Sequence, residues 1–323
     1  MSHVSRRAFV QMSASLLAVP LVAEAQPAKR MPRIAFYATS NPREWFGTGL
    51  RDLGWIDGEN IVIDWHNPRG ADADQARREI VDLSKGPVDV AVVGGPHMIR
   101  AAMKVTKTIP LVGIDLESDP VAAGFVRSLG RPGMNLSGIW LDLPELAGKQ
   151  LQFLREVSPT LKRLAVIWDD EIGAPQLAQA QSAAKSLNIT LYPTALRRTT
   201  EIEKAWNRIL PDRPQAVLAL TAPVVFQEQA RIAALAREHR LPSICPFSTY
   251  AERGGLMAYG PDFPTMWRQT AGYVDRVLRG AKISELPVER PLKFVLNVNS
   301  KTAKALGLTI PPSMLARADQ VVE

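Results

Sequence analysis

Acidic residues gather where short apolar runs end. Asp115 closes "IPLVGID", Asp119 opens "DPV", and Asp169 and Asp170 close "LAVIWDD". Carboxylates at such points can do acid–base work, cap the helix that follows, or hold the ammonium of a bound ligand. Of the four histidines, His3, His66, His97 and His239, only His97 stands at a strand-to-helix turn that can face a cleft. No second histidine or cysteine sits at metal-ligand spacing. Pro96 and Pro223 occupy expected first helical positions, and free N–H groups at such helix starts can hold a carboxylate. The sequence has no G-x-S-x-G elbow, no H-E-x-x-H, no G-x-x-x-x-G-K-[ST] and no G-x-G-x-x-G after the first strand. Cys245, the single cysteine, lies in the apolar stretch "LPSICPF" and reads as a small buried hydrophobe. The residues therefore suit binding better than catalysis, and no catalytic residue, cofactor or metal is expected.

The elements that must position these residues alternate. "RIAFYA" (33–38) reads as a strand, followed by a helix to Leu53, the turn "GWIDGEN" and the strand "IVIDW". An Ala/Arg/Glu-rich helix (72–84) leads to "VDVAVVGG", and a helix (97–107) leads to "IPLVGID". Strand–helix alternation implies a parallel sheet with helices on both faces, and near-continuous apolar strands fit that burial. The pattern restarts at "RLAVIWDD", with a helix (174–186), "NITLYPT", a helix (201–210) and "QAVLALT". The segments from Pro87 and from Pro214 both read strand, turn, proline, helix, then a Leu/Ile-Pro strand, a weak internal repeat. The expected fold class is α/β, two doubly wound parallel-sheet lobes with a ligand cleft between the strands' carboxyl ends.

The chain begins with Arg6–Arg7, an apolar run from Met12 to Val22 and the small-x-small site Ala23-Glu24-Ala25, the three parts of an export signal. "SRRAFV" looks like the twin-arginine type; an ordinary secretion signal is the alternative. Residues 1–25 are assigned to it, and the expected location of the mature chain is the periplasm. The formal charge of +7 is spread along the chain with no run of five like charges, which argues against nucleic acid as a partner. No later apolar run reaches membrane length, so no membrane insertion of the mature chain is expected.

Several stretches resemble one family. "GLRDLGWIDGENIVID", "TIPLVGIDLESDPVAAGFVRSLGRPGMNLSG", "GGLMAYGPDF", the block "YVDRVLRGAKISELPVERPLKFVLNVNSKTAKALGLTIPPSMLARAD" and the final "VVE" are similar to the ABC transporter substrate-binding proteins that include tryptophan/tyrosine-type import receptors. The likeness runs from about Arg33 to Glu323. It implies the type I periplasmic binding protein fold, with two lobes joined by three crossovers. The expected lobes are 31–138 with about 262–281, and 139–261 with about 282–323. Departures fall near the expected cleft: "GRPGMN" replaces "ARPGGN", "GGPH" replaces a Gly-Thr turn, "IDLESDPV" replaces a Gly-Asp-Pro-Val run, and Ala258 stands where serine is usual.

In that fold, ligand contacts come from the loops after the strands. The first lobe is expected to offer Thr39, Ser40, Gly95, Pro96, His97 and Asp115, with Asp119 behind them. The second is expected to offer Asp169, Thr221, Ala222 and Phe247, with Tyr259 at a crossover. Thr39, Ser40 and the turn N–H groups would bind a carboxylate, Asp115 or Asp169 an ammonium, and Phe247 and Tyr259 a side chain. The reading is a monomeric solute receptor that takes a small molecule, an amino acid or related carboxylate, to an inner-membrane ABC permease. An exported α/β enzyme and a receptor feeding a sensor kinase stay open as alternatives.

Overall fold

Five short strands, β1 (Arg33–Tyr37), β2 (Val62–His66), β3 (Val90–Gly94), β4 (Leu111–Asp115) and β5 (Leu136–Trp140), form a parallel sheet in the order β2-β1-β3-β4-β5. Strands β4 and β5 are buried along their whole length, as strands covered on both faces must be. The computed structural model describes residues 30–38, 42–66 and 73–323. The export signal assigned to 1–25 and the expected ligand contacts Thr39 and Ser40 lie outside the described residues.

The second sheet contains β6 (Arg163–Trp168), β7 (Thr190–Ala195), β8 (Ala216–Ala219), β9 (Ser243–Cys245), β10 (Met257–Pro261), β11 (Phe294–Asn299) and β12 (Gln320–Val322). Its order is β12-β11-β10-β9-β8-β6-β7. Read from β7 to β10, the first five strands of this half follow the same 2-1-3-4-5 order as the first sheet, all parallel. The weak sequence repeat is therefore a repeat of topology. Strand β11 then pairs antiparallel with β10 and extends the second sheet alone.

Helices cover both faces of each sheet. In the first lobe, α1 (Arg43–Asp52) and α10 (Phe263–Leu278) share a core with β1 and β3 through Phe46, Leu50, Trp267 and Tyr273. On the opposite face, α2 (Ala73–Ile80) and α3 (Pro96–Val105) bury Ile80, Ile99 and Ala102 against Ala35, Tyr37 and Val93. In the second lobe, α4 (Leu143–Val157), α5 (Ala174–Ser186), α11 (Ser300–Ala305) and α12 (Pro312–Leu315) share one core with Leu164, Val166 and Leu218. The other core joins α6 (Ile202–Ile209), α7 (Pro223–Gln227), α8 (Gln229–Glu238) and α9 (Thr249–Glu252) to Ala165, Ile167 and Val217. The second copy of the repeat breaks its helix into α7 and α8, where the first has the single helix α3.

The chain crosses between lobes three times. It leaves β5 for α4 at 141–142, and leaves β10 for α10 at Asp262. The third crossing was expected near residue 281, but residues 283–289 stay with the first lobe. Gly133 N–H donates to Ser284, Ser137 Oγ to Leu286, and Glu289 N–H to Gly138. The crossing therefore falls between Glu289 and β11. Polar contacts tie the three crossings together. Asp142 caps α4 and pairs with Arg290; Asp262 caps α10, lies 3.7 Å from Lys293 Nζ and donates its N–H to Lys293 O at 2.9 Å. Among the described residues, no helix is long and apolar enough to cross a membrane.

Candidate functional site

In a 2-1-3-4-5 sheet the order reverses between the first and third strands, and ligands sit beyond the carboxyl ends there. Both lobes turn those ends toward one shared cavity that opens to solvent. The first lobe contributes Ala38 after β1, Gly94 and Gly95 at the end of β3, and Ile114, Leu116 and Glu117 at the end of β4. The second contributes Ala222 and Pro223 after β8, Phe226 from α7 and Phe247 after β9. The first turn of α10 closes it with Phe263, Met266 and Trp267.

Local sequence explains these positions. Gly95 precedes α3 with φ of 82°, a conformation that glycine reaches without a Cβ penalty, and its N–H donates to Ile114 O at 2.8 Å. Pro96 and Pro223 begin α3 and α7, where a missing N–H costs no helical bond. Asp262 accepts from Thr265 N–H at 3.0 Å and so starts α10 at the crossover. Positions 263, 266 and 267 then share one helical face, which delivers Phe263, Met266 and Trp267 together. Phe247 lies nearly parallel to Phe263 at 6.0 Å and edge-on to Phe226 at 5.1 Å, making an aromatic wall.

The polar groups are fewer and mostly acidic. Asp115 is fully buried, with Oδ1 accepting from the N–H groups of Glu117 (2.8 Å) and Ser118 (3.0 Å) and Oδ2 from Ser118 Oγ. Its carboxylate is thus turned into its own loop. Glu117, 6% exposed, lines the cavity and accepts Leu116 N–H at 3.1 Å. Burial raises the pKa of both carboxyls. For Glu117 the rise is large, with the charge of Asp115 adding to it and Asp169 contributing further. No ion pair to Glu117 occurs among the described residues.

Of the residues expected from sequence, Gly95, Ala222 and Phe247 line the cavity. Pro96 is buried at the start of α3, and His97 beside it reaches across the lobes, its Nε2 3.8 Å from Glu171 Oε2. Asp169 is half-buried, accepts from Glu171 N–H at 2.9 Å and has its pKa raised by burial. Thr221 is clamped by Gln176, which accepts Thr221 N–H at 2.9 Å and donates to its carbonyl at 2.8 Å; the buried Thr221 Oγ1 has no hydrogen-bond partner.

Two expectations part from the geometry. Asp119 closes a turn of its own, accepting from the N–H groups of Val121 and Ala122, and lines a different cavity beside Trp140 and Arg290. Tyr259 is not among the cavity walls; its ring packs on Phe153 (5.0 Å) and Phe294 (6.0 Å) beneath the second sheet. Alternation along β10 puts it on the α4 side. Tyr250 is fully buried with its hydroxyl donating to Ser243, and Trp140 lies in the first lobe's core.

Sequence reading missed Glu117, Phe226, Phe263, Met266 and Trp267. The i, i+3, i+4 spacing after Asp262 was the available signal for three of them. Cys245 is fully buried, which pushes its thiol up to about 12 and leaves it inert. Among the described residues no His, Cys, Asp and Glu cluster is arranged to hold a metal.

The comparisons with known proteins agree with this architecture. The profile of the family described as "ABC transporter substrate binding protein" matches residues 38–322. A tyrosine-binding protein of Clostridioides difficile (strain R20291) is 24% identical over 270 residues, 82% of this chain and 76% of that protein. A conserved domain protein from Vibrio cholerae superposes with a TM-score of 0.83 at 24% identity, over 90% of this chain and 100% of that one. The ABC domain in complex with L-Trp from Streptococcus pneumonia superposes at 0.82 and 21% identity, over 91% and 100%. A leucine binding protein from Thermotoga maritima shares the type I periplasmic binding fold at a TM-score of 0.58 and 12% identity, over 79% and 86%. With a two-lobe cleft and a family match spanning nearly the whole described chain, this protein belongs to the ABC transporter substrate-binding protein family.

Proposed function

We propose that the protein is the periplasmic receptor of an ABC importer, and that it binds an amino acid with an apolar or aromatic side chain between its lobes. The observation that carries this reading is the cavity itself. The first lobe, with α10, supplies nine of its described lining residues and the second lobe four, so a ligand there touches both lobes and favours their closure. Phe226, Phe247, Phe263, Met266 and Trp267 suit a flat or branched apolar group. The turn before α3 would meet the ligand's carboxylate. The tyrosine-binding relative and the L-Trp complex support the same ligand class. The twin-arginine-like signal supports work outside the cytoplasm, where an inner-membrane permease would accept the closed form. The family match and the inert Cys245 favour a receptor over an enzyme.

Transport tests this reading. Cells of the source organism lacking the protein should lose uptake of the amino acid that stabilises the purified chain against heat, and regain it with the wild-type gene. Undiminished uptake of that amino acid in the deletion strain would contradict the importer role.

A further inference from the structure

The cavity has an unusual balance of charge. Among the described residues, Glu117 is its one ionisable wall residue and no arginine or lysine lines it. The groups facing Glu117 are Asp115 at the end of β4 and Asp169 at the end of β6; His97 faces Asp169 from α3. The α7, β9 and α10 walls bring Phe226, Phe247, Met266 and Trp267, none of which carries charge. One carboxyl group, with two more acids close behind it, thus borders a largely apolar space. Asp115 is held by Ser118 and its own loop and shares a side-chain hydrogen bond with Glu117, while Asp169 accepts from Glu171; of the three, Glu117 is the one that lines the cavity. A second feature points to a ligand in the same place. Trp267, 2% exposed and part of the wall, has a buried indole Nε1 with no hydrogen-bond partner. A buried donor of this kind costs free energy unless something accepts from it.

We propose that Glu117 selects the ligand by holding the ammonium of a primary amine, while Trp267 Nε1 donates to an acceptor on the same small head group. This rests on the amino-acid reading above and names the residues that enforce it. It moves the ammonium partner from Asp115 and Asp169 to an acid that feels the charge of both. It also couples binding to a proton. Buried beside Asp115, Glu117 holds its proton in the empty cavity well above the ordinary carboxylate range. An ammonium at hydrogen-bond distance favours the carboxylate instead, so the proton leaves to solvent as the amine enters. Affinity for the cationic amine therefore rises with pH until the amine itself deprotonates.

Calorimetric titration of ligand-stripped protein with L-tryptophan, tryptamine and indole-3-propionate tests this, run at pH 6 and 8 in buffers of low and high ionisation enthalpy. The expected result is tighter L-tryptophan binding at the higher pH, with net proton release on binding. Glu117→Gln should weaken L-tryptophan by roughly 10- to 100-fold, as loss of a hydrogen bond to a charged group does, and abolish the proton release. It should leave indole-3-propionate unchanged or tighter. L-tryptophan binding to wild type with no proton release, and equally to Glu117→Gln, would overturn the assignment and leave the receptor reading intact. Binding of indole-3-propionate alone would overturn it too. No binding of any of the three would count against both.

Discussion

Glu117 and Phe263 set the behaviour of the site from opposite ends. The folded pKa of Glu117 lies above the unfolded value of about 4.3. Its protonated form therefore stabilises the fold fully below that value, and this contribution is lost as pH rises through the raised folded value. The ligand-free protein should melt at a lower temperature as pH increases from 5 to 8. Glu117→Gln should flatten that dependence, and melting curves of the two proteins across this range measure it; parallel curves would contradict the buried acid. Phe263 stacks on Phe247 at the mouth of α10. Phe263→Ala removes an aromatic pair worth about 0.5–1.5 kcal/mol beyond its buried area and should weaken an aromatic amino acid by roughly tenfold, read by titration. At this scale the sequence was partly legible. Gly95, Ala222 and Phe247 follow strands and could be placed by counting. Glu117 could not be chosen over Asp115 and Asp119, because which acid turns inward depends on Ser118 closing the loop on Asp115. Thr221 is held by Gln176, 45 residues earlier, a partnership that no local pattern reveals.

Element α10 joins hinge and cavity. Its cap, Asp262, is the second crossing, and its first turn is a cavity wall. Asp262→Ala should cost about 1 kcal/mol through loss of the cap, visible as a lower denaturant midpoint with unchanged slope. Strand β5 depends on a closer fit. Gly138 pairs with Gly113 at φ of 145°, and a Cβ there would lie 2.0 Å from Gly113 O. Gly138→Ala should therefore destabilise the first lobe by about 3 kcal/mol or more, the scale of a forced backbone shift, measured by chemical denaturation. A variant as stable as wild type would show that β4 and β5 are held less closely than this pairing. Most strands and helices through β8 were readable from apolar periodicity, because both faces of each sheet are covered. The return of residues 283–289 to β5 was not, since it rests on backbone bonds from Ser284, Leu286 and Glu289 to distant partners.

Across the whole molecule, two 2-1-3-4-5 lobes share one cavity and three crossings, so a ligand that fills the cavity would contact both lobes at once. The repeat in the sequence was legible because the same strand order is built twice; the cavity was not, because its walls come from six separate segments. Binding only to the folded, closed form should raise stability by about 2.7 kcal/mol at a ligand concentration 100 times its dissociation constant. The most direct test of the central claim is a calorimetric titration of ligand-stripped protein with L-tyrosine, L-tryptophan and L-leucine. One ligand per chain, with binding lost in Phe263→Ala combined with Glu117→Gln, is the predicted result. Native melting behaviour with no heat of binding from any of the three would contradict an amino-acid site between the lobes.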